Sequence, residues 1–197
     1  MRPGWVFVRP RGMTTPAPDQ AFAPPPTLIR WPEKYLPANA QVFAHNEIVI
    51  PAPPEQIWAW LLRAQLWPKW YRNAANVHFL SHTGPDLRDR SRFRWKTFGV
   101  KITSKVLEFE PYRRIAWDAH GIGVNGYHAW VLTPMGESST HVLTEETQTG
   151  WLARLSAAMM PKRMHERHQE WLEGLSAKAQ SGLPRKVAAP GVDVVGL

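Results

Sequence analysis

A histidine and a glutamate in the second half of the chain have the clearest chemical potential. His128 shares strand parity with Trp130 and Leu132, and Glu146 shares parity with Val142 and Thr144. On neighbouring strands those parities put an imidazole and a carboxylate into one apolar interior. Burial would raise the carboxyl pKa and lower the imidazole pKa, while mutual pairing would oppose both shifts. Such a pair can move a proton on a bound carbonyl compound. It can equally be a structural polar pair, or a glutamate reaching water at a strand end.

The other histidines invite a metal reading that spacing does not support. His165-Glu-Arg-His168 sets its histidines three apart, whereas the zinc-protease helix needs H-E-x-x-H with four. His78 and His82 share strand parity but have no carboxylate or third histidine near them in sequence. His168 falls between Met164 and Trp171 on an apolar stripe and reads as a core or pocket-wall residue. The chain has 0 cysteines, which excludes disulfides, thiol catalysis, Cys-ligated zinc and iron–sulfur clusters. No Gly-rich phosphate loop and no G-x-S-x-G elbow is present. No metal and no cofactor is therefore expected.

These groups need elements to hold them. Residues 1–41 form a proline-rich extension, with Trp31 and Tyr35 expected to contact the domain. Met13 offers an alternative start to Met1. Residues 42–181 carry the periodic patterns, and 182–197 read as a flexible tail. Val42–Ile50 alternates as a strand, and Pro51 to Pro54 stops it and opens a helix bearing Ile57, Trp58, Leu61 and Leu62. A second short helix or turn holds Trp67, Trp70 and Tyr71. Strands are expected over Val77–Leu80, Ser91–Phe98, Val100–Phe109, Arg113–His120, Asn125–Thr133 and Thr140–Thr149. From Trp151 the pattern is helical, broken at Pro161.

This order specifies an α+β fold: a curved antiparallel sheet wrapped around a long C-terminal helix, with two short helices after the first strand. The stretch IVIPAPPEQIWAWLLRAQLWPKW (48–70) resembles the opening of START/SRPBCC proteins, the polyketide cyclase/dehydrase and lipid-transport group. EPYRRIAW (110–117), HAWVLTP (128–134) and STHVLTEET (139–147) agree with it, over about residues 42–180. The resemblance implies a helix-grip fold around an apolar cavity. It supplies no universal catalytic set.

The 11 tryptophans against 4 tyrosines suit a roomy apolar interior, because many indoles are hard to close-pack. Parity points Phe93, Trp95, Trp117 and Trp130 inward, with Ser104 beside them. Thr144, His168 and Trp171 complete the expected ligand-binding wall, and His128 with Glu146 forms the expected acid/base pair. Each of these residues can also be plain core.

The first functional reading is binding of a hydrophobic small molecule: a lipid, polyketide or aromatic compound. The alternatives are a cyclase/dehydrase-like enzyme, or a regulator docking through its basic face. Formal net charge is +8, and Arg92, Arg94 and Lys96 form an outward row. The aromatics have the opposite parity, which argues against nucleic acid and leaves room for transient contact with an anionic membrane. No run approaches the ~20 apolar residues of a membrane span, and the opening residues lack a signal-peptide core. The expected location is the cytoplasm.

Overall fold

Alternation of apolar and polar residues dominates the middle of the chain, and it builds one antiparallel sheet. Its strands are β1 (Val42–Ile50), β2 (Ala74–Phe79), β3 (Arg92–Thr97), β4 (Val100–Glu110), β5 (Arg114–Gly121), β6 (Val124–Pro134) and β7 (Thr140–Thr149). This computed structural model describes residues 28–184. The expectations for the first 27 residues, Met13 included, and for the tail from 185 onward lie outside the described residues.

The strand order is β1-β7-β6-β5-β4-β3-β2. From β2 to β7 the sheet is therefore a meander, and β1 closes antiparallel against β7. The helices are α1 (Pro54–Leu62), α2 (Trp151–Met159) and α3 (Arg163–Gln180), with a 3-10 turn at Ala64–Lys69 after α1. Pro54 occupies the first turn of α1, where its missing N–H costs nothing. Pro161 lies in the break between α2 and α3, because it can neither donate to a helix ladder nor let the preceding residue stay helical.

β2 begins at Ala74, earlier than the alternation suggests. Ala-Ala-Asn has little intrinsic strand preference, so pairing with β3 decides the matter. The register shifts between Ala75 and His78, and Asn76 takes a positive φ of 53° there.

One face of α3 (Met164, His168, Trp171, Leu172, Leu175, Ala179) is buried against the concave face of the sheet. Asn46 on β1 pins it, donating from Nδ2 to the His165 carbonyl at 3.1 Å and to Gln169 Oε1 at 3.2 Å. The middle of this interface is filled. The Trp67 ring centroid lies 5.1 Å from that of Trp171, 5.5 Å from Trp95 and 5.7 Å from Trp117. Its indole N–H donates to the Leu61 carbonyl at 3.0 Å. The 3-10 turn thus plugs the cup that the strand pattern alone leaves open.

The convex face carries a second, smaller core. Tyr127, Ala129, Val131 and Leu143 are buried there under Ile29 and Tyr35 of the N-terminal segment. The Tyr35 and Tyr127 rings stack at 5.5 Å, and Trp31 packs on Tyr127 at 5.6 Å. The Thr147 hydroxyl donates to the Tyr35 carbonyl at 3.0 Å. Further along this face Arg92, Arg94, Lys96, Lys101 and Lys105 are exposed.

The β7–α2 corner depends on glycine. Gly150 has φ 113° and ψ 169°, a conformation closed to other residues. A Cβ there would lie 2.4 Å from the Gly123 carbonyl oxygen, which is backbone and cannot swing away. Gly150→Ala is therefore expected to cost about 2–3 kcal/mol, strain plus displacement of α2. Chemical denaturation measures it, and a loss within about 0.5 kcal/mol would mean the corner relaxes freely.

Candidate functional site

The antiparallel register sets His128 on β6 directly opposite Glu146 on β7. Their parities point both into the concave face, where α3 brings His168 down onto them. Glu146 Oε2 lies 3.1 Å from His128 Nδ1 and 3.0 Å from His168 Nε2. The two imidazoles stack, centroids 4.6 Å apart and planes 15° from parallel. All three side chains are buried: relative exposure is 1% for each histidine and 7% for Glu146.

Each group has support behind it. His128 Nε2 lies 2.8 Å from the Thr144 hydroxyl, which donates to the Ala129 carbonyl at 3.1 Å. Gln148 Nε2 donates to Glu146 Oε1 at 2.6 Å. Trp117, Trp130 and Trp171 surround the His128 ring at 5.0, 5.2 and 5.3 Å.

Burial pushes the His128 imidazole down to about 3, so it is neutral at ordinary pH. For Glu146, burial pushes upward, but the two imidazoles beside it and the Gln148 hydrogen bond outweigh this. They hold the carboxyl below its ordinary value.

His128 and Glu146 also face open space. A cavity of about 150 Å³ lies between the sheet and α2, lined by Trp95, Ile102, Trp117, Val124, Leu152, Met164 and others. Its wall is mostly apolar, with buried His128 and Glu146 and half-buried Thr97, Gln148, Ser156 and Arg163 as polar exceptions. α2 covers it lightly, since Ala153 is its one buried residue.

Residues 42–180 match the profile of the family described as polyketide cyclase / dehydrase and lipid transport. The chain belongs to that family. A hypothetical protein of Helicobacter pylori, jhp0584, is 31% identical, with a TM-score of 0.73 over 78% of this chain and 96% of its own. The Zhui aromatase/cyclase from Streptomyces sp. R1128 superposes with a TM-score of 0.60 at 14% identity, over 72% of this chain and 98% of its own. The protein TTHA0849 from Thermus thermophilus gives 0.59 at 22% identity, over 71% and 97%. These last two likenesses concern the fold alone. Among curated proteins no significant match is found.

In this member of the polyketide cyclase/dehydrase family, the residues singled out from sequence divide into two groups. Trp95, Trp117, His128 and Glu146 line the cavity. Phe93, Ser104, Trp130, Thr144, His168 and Trp171 do not; they are buried in the packed interior around it. Ser104 accepts from the Trp95 indole at 3.2 Å, which spends its hydroxyl inside the core. The free space lies off-centre because Trp67 and Trp171 occupy the middle.

Sequence reasoning missed Gln148, although it shares the parity of Glu146. It also missed the α2 wall, whose signal was the apolar run before Pro161. Nothing in the spacing showed that His168, on a helix, would meet a pair of strand residues. Among the described residues no helix is long and apolar enough to cross a membrane.

Proposed function

We propose that this chain binds a small hydrophobic compound carrying an oxygen function in the cavity between the sheet and α2. The supporting observation is the wall itself: an apolar lining into which His128 and Glu146 intrude as buried polar groups. Such a site recognises an apolar body by area and one polar atom by hydrogen bonding. A cavity of about 150 Å³ takes a solute the size of one aromatic ring. A larger polyketide or lipid requires α2 to shift, and its thin packing makes α2 the movable wall.

The exposed edge of α2, where Leu155 and Met159 also border the cavity, supports a hydrophobic source for the ligand. Trp151, Leu155 and Met159 follow a four-residue spacing and are 64%, 48% and 67% exposed. Arg154, Lys162 and Arg163 flank them. An anionic membrane holding the ligand complements that surface.

Binding ranks above cyclase or dehydrase chemistry because the polar groups of the site are engaged with one another: Glu146 takes hydrogen bonds from Gln148 and His168, and His128 Nε2 is paired with Thr144. Proton transfer by His128 and Glu146 is the second reading, carried by their shared contact and their place on the wall.

Trp95 and Trp117 provide the test. Titration with 1-naphthol is expected to quench tryptophan fluorescence saturably. Ala119→Phe, which fills the cavity from a half-buried lining position, should weaken binding at least about tenfold while the fold persists by circular dichroism. Equal binding by wild type and Ala119→Phe would place the ligand elsewhere and sink the proposal.

A further inference from the structure

Among the described residues four arginines are half-buried: Arg63, Arg114, Arg163 and Arg167. Carboxylates stand beside three of them. Arg63 pairs with Asp86, Arg167 pairs with Glu170, and Arg114 lies 4.0 Å from Glu108 and 3.7 Å from Glu110. Arg163 has no carboxylate within ion-pair reach among the described residues. Its guanidinium lies over the Phe98 ring, 5.6 Å from the centroid. A ring face attracts a cation but carries no net charge to cancel it.

Arg163 also belongs to the cavity wall. It is the first residue of α3, so it enters the wall just after the Pro161 break, where α2 gives way to α3. Phe98, on the turn between β3 and β4, lines the same wall. Arg163 is the one lysine or arginine among the lining residues, and Glu146 is the one carboxylate. The two differ in what they still offer. Glu146 is buried and takes hydrogen bonds from His168 and Gln148. The Arg163 fork of N–H donors is given to no acceptor among the described residues.

A cation beside an apolar wall attracts an anion more strongly than one in open water, because its surroundings screen less. The planar fork of an arginine matches a carboxylate with two parallel hydrogen bonds. A single unpaired cation balances a monoanion and leaves a phosphate dianion half uncompensated.

We propose that the ligand of this cavity is a hydrophobic carboxylic acid in its ionised form, with its carboxylate on Arg163 and its apolar body against Trp95 and Trp117. The inference rests on the cavity being the ligand site and adds the charge that the ligand carries. Glu146 fixes the orientation. Its carboxyl is held below the ordinary value, so a second negative charge at that end is repelled. A neutral hydroxyl on the ligand is accepted there, beside His128 and Glu146.

1-Naphthoate and 1-naphthol share a ring system and differ in their polar group, which makes them the test pair. By tryptophan fluorescence quenching of the wild type at neutral pH, 1-naphthoate is expected to bind at least about tenfold more tightly. Arg163→Gln should erase that preference. Arg163→Lys, which keeps the charge without the fork, should retain part of it. Lys162→Gln removes the neighbouring exposed cation and should leave the preference within about twofold. The wild-type comparison needs no variant to fold, and circular dichroism checks the three variants. Binding of 1-naphthol with 1-naphthoate equal or weaker overturns the carboxylate assignment while the cavity reading stands. A preference unchanged in Arg163→Gln overturns the role of Arg163. Quenching by neither compound overturns the cavity reading itself, and this inference with it.

Discussion

Trp67→Ala should destabilise the protein by about 3–5 kcal/mol, a large share of the ~5–15 kcal/mol typical of a domain. Trp67 is fully buried, and its ring meets Phe93, Trp95, Trp117 and Trp171. The substitution would leave a cavity where sheet, 3-10 turn and α3 converge, and it would strip the Leu61 carbonyl of its donor. Trp67→Phe retains most of the apolar area and should lose much less. Denaturant midpoints at unchanged slope measure both. A Trp67→Ala loss under about 1 kcal/mol would mean that the centre of the domain is hollow or plastic, and the off-centre cavity would lose its explanation.

Tyr35→Ala should cost about 3 kcal/mol, which lowers the melting temperature by about 6–12 °C for a chain of this size. Tyr35 is 5% exposed and stacks on Tyr127 over the convex face. Removing its ring would uncover Tyr127 and Leu143 on the outside of a sheet whose other face is already committed to α3. Tyr35→Phe keeps the stacking and should remain near wild type. Limited proteolysis gives an independent readout: cleavage before β1 should accompany the drop in stability. Trimming of that segment with no change in melting temperature would show that the smaller core contributes nothing.

The strands illustrate why so much of the fold was legible. Arg92–Thr97 alternates charged and aromatic residues, and a pleated backbone can satisfy that pattern only with one face buried. Pro51–Pro54 and Pro161 interrupt the backbone by local chemistry that no distant contact can repair. β2 was less legible, since Ala74–Asn76 owes its strand to a partner and not to its own side chains. For the site, parity brought His128 and Glu146 to one face, and the register then set them opposite each other.

Local backbone rules, readable in the sequence alone, determined the kind and order of the elements and the apolar side of each strand. Proline punctuation and the periods of strand and helix depend only on near neighbours. The tertiary structure alone decided which apolar residues border empty space and which fill it. That depends on where a turn residue, Trp67, lands relative to a helix residue, Trp171. It also decided that His168 joins His128 and Glu146 in one buried polar cluster, because the crossing of α3 over β6 and β7 is set by the packing of the whole interface, and no single spacing along the chain encodes it.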